Sequence, residues 1–383
     1  MTDDIDKGGA MEEALRVYFR SSGFYVLRGV KLLFEGADAS DLDIWLYSRT
    51  SAIARHRVVV DVKNKKRAKA MERIFWARGI QESLGLEQAI VATTDRREVV
   101  ARFGRLYDVV VLDGAFIERL VKSLEKEPVR VTEEELRKKI GAYDLGKFTG
   151  DWKARLELSR SLVTSLDYNS INSWLDEARY FLEQVFLVSQ HRRTALRLFY
   201  ILVSLLAIGI DFVSRDLAFI DPSQRRKELD DGFRHGSNRA AGLDNVLNIA
   251  TGLVEQYVRE GKVAAKQIRE GLQRDLADIP TSILSEYFSK AGIAQGLFDV
   301  ARELEDAAYR VNMPLPDQLS SAAQSVILVL MDYWQVDRKR LFNVFDVELP
   351  TDSKKAGTER DSVPPPEAAR LPLEPASESI RKI

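Results

Sequence analysis

A mixed α/β sheet flanked by helices, followed by an all-helical domain, is the fold class this sequence predicts, and three observations predict it. Five short runs rich in β-branched and aromatic residues fall within the first 115 positions, and helical spacing separates the later ones. From Asp151 to about Val347 apolar residues recur at helical intervals and no convincing strand appears. From Leu349 onward the chain is polar and proline-rich, including Pro364-Pro365-Pro366. The reading is a sheet domain over 1–130, a linker over 131–150, a helical domain over 151–348 and a disordered tail over 349–383.

Each element has a local reason. An amphipathic helix covers roughly 10–21 and stops at the turn signal Ser21-Ser22-Gly23. Strands fit Phe24–Val30, Asp43–Tyr47, Val58–Lys63, Gln88–Thr93 and Val109–Leu112. Helices fit Ala68–Leu84 and Ala115–Leu124. Short connections between the first three strands predict a meander. Helices between the later ones predict a mixed sheet with helices on both faces. In the helical region the periodic residues include Trp174, Phe181 and Val185, then Val246, Ile249 and Val254, then Leu284 and Phe288. The run Leu198–Ile210 is apolar nearly all round but is only about two-thirds of the ~20 residues a membrane span needs. Arg197 and Asp211 bracket it, so a buried core helix is expected there and no membrane.

Of 383 residues, 45% are hydrophobic and 30% charged, and the net charge is -1, so any nucleic-acid surface has to be local. The chain has no cysteine, which excludes disulfides and thiolate metal sites. Met1–Asp6 is acidic and lacks an apolar core, so no signal peptide is expected and the expected location is cytoplasmic.

The chemistry-bearing segment is Val58-Val59-Val60-Asp61-Val62-Lys63, with Asp43 upstream. Side chains alternate along a strand, so Val59, Asp61 and Lys63 share one face of the third strand, and Asp43, Trp45 and Tyr47 share one face of the second. Adjacent strands can bring Asp43 and Asp61 to one cation. Two carboxylates, the Val62 carbonyl and waters suit Mg²⁺, a hard ion that keeps several waters, or Mn²⁺. Lys63 could then orient a water or stabilise charge on a phosphate. Glu12 precedes Leu15 and Phe19 by three and seven residues, on the helix stripe that should face the sheet. It is placed either to join the metal site, directly or through a water, or simply to pair with Arg16 on the surface. Glu13 is the competing candidate.

These residues resemble the PD-(D/E)XK nuclease superfamily, most closely its archaeal Holliday-junction resolvase and Mrr-type restriction branches. The resemblance rests on Glu12, on Gly23-Phe24-Tyr25-Val26-Leu27-Arg28, on Asp43-Ile44 and on Asp61-Val62-Lys63. It covers roughly residues 8–115. The resolvases place a helix glutamate eleven positions before a Gly-Phe strand start, which selects Glu12 over Glu13. The resemblance implies a restriction-endonuclease-like sheet, metal binding by Asp43 and Asp61, and Lys63 as the catalytic lysine. Leu42 stands where the superfamily has proline. Gln81 falls where some branches carry Gln-x-x-x-Tyr, but position 85 is Gly85, so Gln81 is an auxiliary candidate that reads more simply as helix surface.

Basic residues surround this segment: Arg55, His56, Arg57, Lys65, Lys66, Arg67, Lys69, Arg73 and Arg78. Within 55–80 only Asp61 and Glu72 oppose them. Phosphate contact by Lys65, Lys66, Arg67, Lys69 and Arg73 would explain the excess; a solvated helix face is the plainer alternative. Gly141–Lys147 has P-loop spacing, but Phe148 replaces the Ser or Thr that holds Mg²⁺, so any ATP-driven step falls to a partner ATPase. His191 and His235 are isolated. The expected function is a metal-dependent endonuclease on DNA, with RNA not excluded, in restriction, phage defence or DNA repair. The alternative is a nuclease-derived binding or scaffold protein whose helical domain joins partners. Cutting both strands calls for two active sites, so a homodimer is expected, with the helical domain as specificity or oligomerisation module.

Overall fold

The computed structural model describes residues 7–64, 69–123, 130–143 and 150–346. The proline-rich tail lies outside them, as do Lys65, Lys66 and Arg67.

Helix α1 (Lys7–Ser21) leads into strands β1 (Tyr25–Phe34), β2 (Ala37–Arg49) and β3 (Arg55–Lys63). These three form the antiparallel meander. Glu35 and Gly36 close the first hairpin with φ of 51° and 83°. Two left-handed residues match the twist of the strands they join. Helix α2 (Ala70–Ser83), β4 (Gln88–Thr93), α3 (Glu98–Leu106), β5 (Val109–Leu112) and α4 (Gly114–Ser123) follow. β4 and β5 add in parallel, giving a five-stranded mixed sheet in the order β1-β2-β3-β4-β5.

The two faces are covered differently. On one, α1 and α4 bury Leu15, Phe19, Ile117 and Leu120 against Val26, Ile44, Leu46, Val58, Val60 and Val62. On the other, α2 and α3 pack over the parallel side through Ile74, Ala77 and Val100, while the meander side buries Tyr25, Leu27, Trp45 and Tyr47 in the helical region. That region holds α5 (Glu133–Gly141), α6 (Trp152–Ser161), α7 (Tyr168–Leu187), α8 (Arg192–Ser214), α9 (Pro222–His235), α10 (Arg239–Tyr257), α11 (Gly261–Asp278), α12 (Thr281–Phe288), α13 (Ala291–Tyr309), α14 (Ser321–Tyr333) and α15 (Arg338–Asp346). Its axis is α8, buried on all sides between α7 and α13. This is the one described helix long and apolar enough to cross a membrane, and 94% of its most apolar window is buried in protein.

Two expectations change. The stretch read as a linker over 131–150 contains α5, which opens with a Thr132–Glu135 capping box and buries Leu136 and Ile140. The core also does not divide where the two-domain reading divides the chain. One apolar cluster runs unbroken from Trp45 and Val59 on the sheet to Phe199 and Leu205 on α8. Polar ties cross the same surface. The Tyr25 hydroxyl lies 2.7 Å from Ser204 Oγ, and Arg16 donates to Glu305 at 2.7 Å. Buried Asp211 accepts from Tyr47, Arg49 and Arg55.

Candidate active site

The geometry begins with the strand register. The last β2–β3 pair on this side is Ile44 with Val60, so Asp43 would stand opposite Asp61 one step beyond the ladder. The strands part there. In place of a ladder bond, the Val62 N–H donates to Asp43 Oδ2 at 2.7 Å. On its other side Asp43 falls opposite Gly29, which interrupts the β1 ladder with φ 59°. Only a residue without Cβ takes that conformation at little cost.

The irregularity redirects Asp43. Leu42 and Trp45 both join the apolar cluster on the helical side while Ile44 joins the other, so strict alternation fails across these positions. Asp43 therefore does not simply share a face with Trp45 and Tyr47. Its carboxylate occupies the opening between β2 and β3, open to groups from both faces of the sheet. Asp61, fully buried, approaches from the α2 side. Glu12 comes from α1 on the opposite side.

These groups act on one another's charge through Asp43. Burial pushes the Asp43 carboxyl up to about 7. The Val62 N–H pulls it back, the Asp61 and Glu12 carboxylates raise it further, and the Lys63 ammonium lowers it. Among the described residues the Lys63 ammonium has no hydrogen-bond or ion-pair partner. The site lies at the carboxyl end of β3, on the edge where β4 also ends, since Lys63 pairs with Thr93. Ligands of α/β sheets gather at such edges.

Two arginines balance the negative charge. Arg73, from the first turns of α2, grips Asp61 with both Nε (2.8 Å) and Nη2, and lies over Trp76 at 4.3 Å. The hydrogen bonds to Asp61 raise its own pKa. Arg28, on β1 and buried, holds Glu12 at 3.0 Å, Glu13 at 2.6 Å and Glu134 at 3.0 Å. Glu12 thus has a partner from a strand, not Arg16, which pairs with Glu13 and Glu305. Glu12 is the α1 glutamate felt by Asp43.

Oxygen donors of this kind are the right chemistry for Mg²⁺ or Mn²⁺. The Asp43 carboxyl, raised by burial first and then by its acidic neighbours, is a group whose charge a divalent cation would stabilise. Among the described residues, though, no three His, Asp or Glu side chains form a ready metal cluster. Asp61 is engaged by Arg73 and Glu12 by Arg28, so a cation would have to replace the guanidinium on Asp61.

The remaining sequence candidates are placed as follows. Arg73, expected on phosphate, is held by Asp61. Lys69 is exposed and pairs with Glu72 at 3.0 Å. Arg55 and Arg57 start β3, six and four residues from Asp61 and so about 20 Å and about 13 Å away along the strand. They are engaged by Asp211 and Glu87. Arg78 pairs with Glu82 and Asp108. Of the basic residues in this segment, the described arginines Arg55, Arg57, Arg73 and Arg78 are each paired with an acid, three of them with acids outside the segment. Gln81 is neither helix surface nor part of the site. It is buried, and its amide donates to the Glu87 carbonyl at 3.3 Å, where β4 begins. Eight residues of α2 carry it about 12 Å from Arg73, toward the opposite end of the sheet. The pairing roles of Arg28 and Arg73 had no sequence signal, because strand alternation says nothing about side chains arriving from other elements. Compared with known protein families, with curated proteins and with solved structures, the chain matches none.

Proposed function

We propose that this chain is a divalent-metal-dependent endonuclease that hydrolyses phosphodiester bonds in DNA, with the fold of the PD-(D/E)XK nucleases. The observation that supports this most is the fork between β2 and β3, where the Asp61 and Glu12 carboxylates and the Lys63 ammonium all act on the Asp43 carboxyl. Asp43, Asp61 and the Val62 carbonyl would hold Mg²⁺ or Mn²⁺, with Glu12 reaching it through water. Such an ion polarises a phosphoryl oxygen and lowers the pKa of a bound water. Lys63 donates hydrogen bonds to the attacked phosphate or to the incoming water, offsetting charge as it develops. Restriction, phage defence and DNA repair are settings that fit this chemistry.

A second reading has its own support. Arg73 on Asp61 and Arg28 on Glu12 would be expected of a nuclease fold kept as a binding module, its carboxylates neutralised from within. Two experiments separate the readings. Incubation with supercoiled, linear, single-stranded and branched DNA in Mg²⁺ or Mn²⁺ is expected to yield cleavage of at least one substrate. Calorimetric titration with Mn²⁺ is expected to show a divalent site that disappears in Asp43→Ala with Asp61→Ala. No cleavage and no metal-dependent heat would leave the binding module as the better account.

A further inference from the structure

The helices α10 and α11 form a hairpin whose largest contact is between its own two helices, with Arg234 of α9 donating to the Leu276 carbonyl near the end of α11. Its inner seam is narrow: Leu247, Thr251 and Ala265 are buried, and Gly261 lies against the Val254 backbone. Away from that seam, α10 is bare and apolar. Val246, Ile249, Leu253 and Tyr257 follow one another at intervals of three, four and four residues, which puts them on a single stripe. They are 62%, 68%, 54% and 76% exposed. Val258 and Val263, at 50% and 57%, continue the patch around the hairpin tip.

Single apolar residues at a surface are ordinary, but a contiguous stripe is not. Six side chains, each showing half or more of its area, make a patch of several hundred Å². That is at or beyond the ~300–600 Å² of the largest patch on a typical monomer. It also approaches the ~800 Å² each partner contributes to a stable interface. Within its nineteen residues α10 carries only Arg239, Asp244 and Glu255 as charged groups, so little opposes bringing it against an apolar surface. A two-helix hairpin with one thin seam is half of a bundle, and a second hairpin supplies the missing layer.

We propose that two copies of this chain associate through this face, their α10–α11 hairpins pairing about a twofold axis into a four-helix bundle. A twofold contact sets the same stripe against itself, so one patch per chain suffices. The dimer does not depend on the nuclease reading, since none of its residues belongs to the β2–β3 fork.

Sedimentation of the full chain at micromolar concentration is expected to give twice the chain mass. Ile249→Lys combined with Leu253→Lys is expected to halve it, with helicity unchanged because both side chains are exposed in the single chain, while the melting temperature falls and loses its dependence on protein concentration. A wild-type monomer, or a double variant that stays dimeric, overturns the proposal. Should the double variant lose helicity, cysteines decide, because the chain has none of its own. Under oxidation at least one of Val246→Cys, Ile249→Cys and Leu253→Cys is expected to give disulfide-linked dimers. Phe219→Cys, at an 81% exposed position elsewhere, is expected to give none. No crosslink from any stripe position, or equal crosslinking from Phe219→Cys, excludes the twofold contact.

Discussion

Asp43 is where backbone irregularity and chemistry coincide. Its carboxylate accepts a main-chain N–H that a regular sheet would have given to a carbonyl, and its proton is held up to about pH 7 against an ordinary 3.8. Between those values the folded protein keeps a proton that the unfolded chain has lost. Metal-free stability therefore falls as pH rises through that window and levels off above about 7. Asp43→Asn keeps an oxygen acceptor for the Val62 N–H but has no such proton. In urea unfolding without divalent ions, the midpoint of the wild type is expected to drop relative to Asp43→Asn between pH 4 and 7; parallel curves would show that Asp43 titrates normally. Arg73 is the complementary case. Hydrogen bonds to charged groups contribute ~1.5–3 kcal/mol, so removing the guanidinium from Asp61 frees that carboxylate for a competing cation. Arg73→Ala is expected to bind Mn²⁺ about tenfold more tightly or better by calorimetry, while the metal-free protein loses stability. Unchanged or weaker affinity would mean Arg73 does not compete for the site. Asp61 and Lys63 were legible from a β-branched run ending in Asp-x-Lys. Arg73 was legible only as one more basic residue, because its partner lies twelve positions away on another element.

The strands β4 and β5 were readable to the residue, whereas β3 starts at Arg55, three residues before its valine run. β4 and β5 occupy Gln88–Thr93 and Val109–Leu112 as their Val, Ile and Ala runs indicate. β1 and β2 extend well beyond their apolar centres, because Lys31, Asp38 and Asp41 continue the ladder as an exposed hairpin. Polar pattern hid that extension, since it depends on pairing and not on burial. α5 was hidden by composition: nine residues with only Leu136 and Ile140 apolar read as linker, although Thr132 with Glu135 is a capping-box signature. Asp211 was legible only as the bracket of an apolar run. In the structure it anchors β2 and β3 to α8 by accepting from Tyr47, Arg49 and Arg55 with no exposure of its own. Breaking a buried, paired charge by removing one partner typically costs about 3–5 kcal/mol. Asp211→Ala is expected to lower unfolding stability by that order in chemical denaturation, and a loss under about 1 kcal/mol would show that the network is not a tie between the layers.

At the scale of the molecule, the sheet and the helices share one core. Tyr25, Leu27, Trp45 and Tyr47 are buried by helices that follow residue 150. The division of the chain by secondary-structure type was readable, but the joining of its halves was not, since periodicity identifies an apolar face without naming what covers it. Residues 1–130 alone would expose that aromatic face and are expected to aggregate or remain partly folded. The full chain is expected to melt in one cooperative step by circular dichroism and tryptophan fluorescence alike; two separated transitions would restore independent domains. The charge arrangement at the β2–β3 fork gives the central claim, metal-dependent phosphodiester cleavage, its most direct test in Lys63→Ala. The Lys63 ammonium makes no hydrogen bond or ion pair among the described residues and acts only electrostatically on Asp43, so its loss should leave folding nearly unchanged and Mn²⁺ binding intact. The measurement is the initial rate of DNA nicking at saturating Mn²⁺. The account predicts a fall of roughly 10²-fold or more, the range seen when one donor to developing charge is removed, whereas a rate equal to wild type, with cleavage present in both, would contradict the assignment of this site.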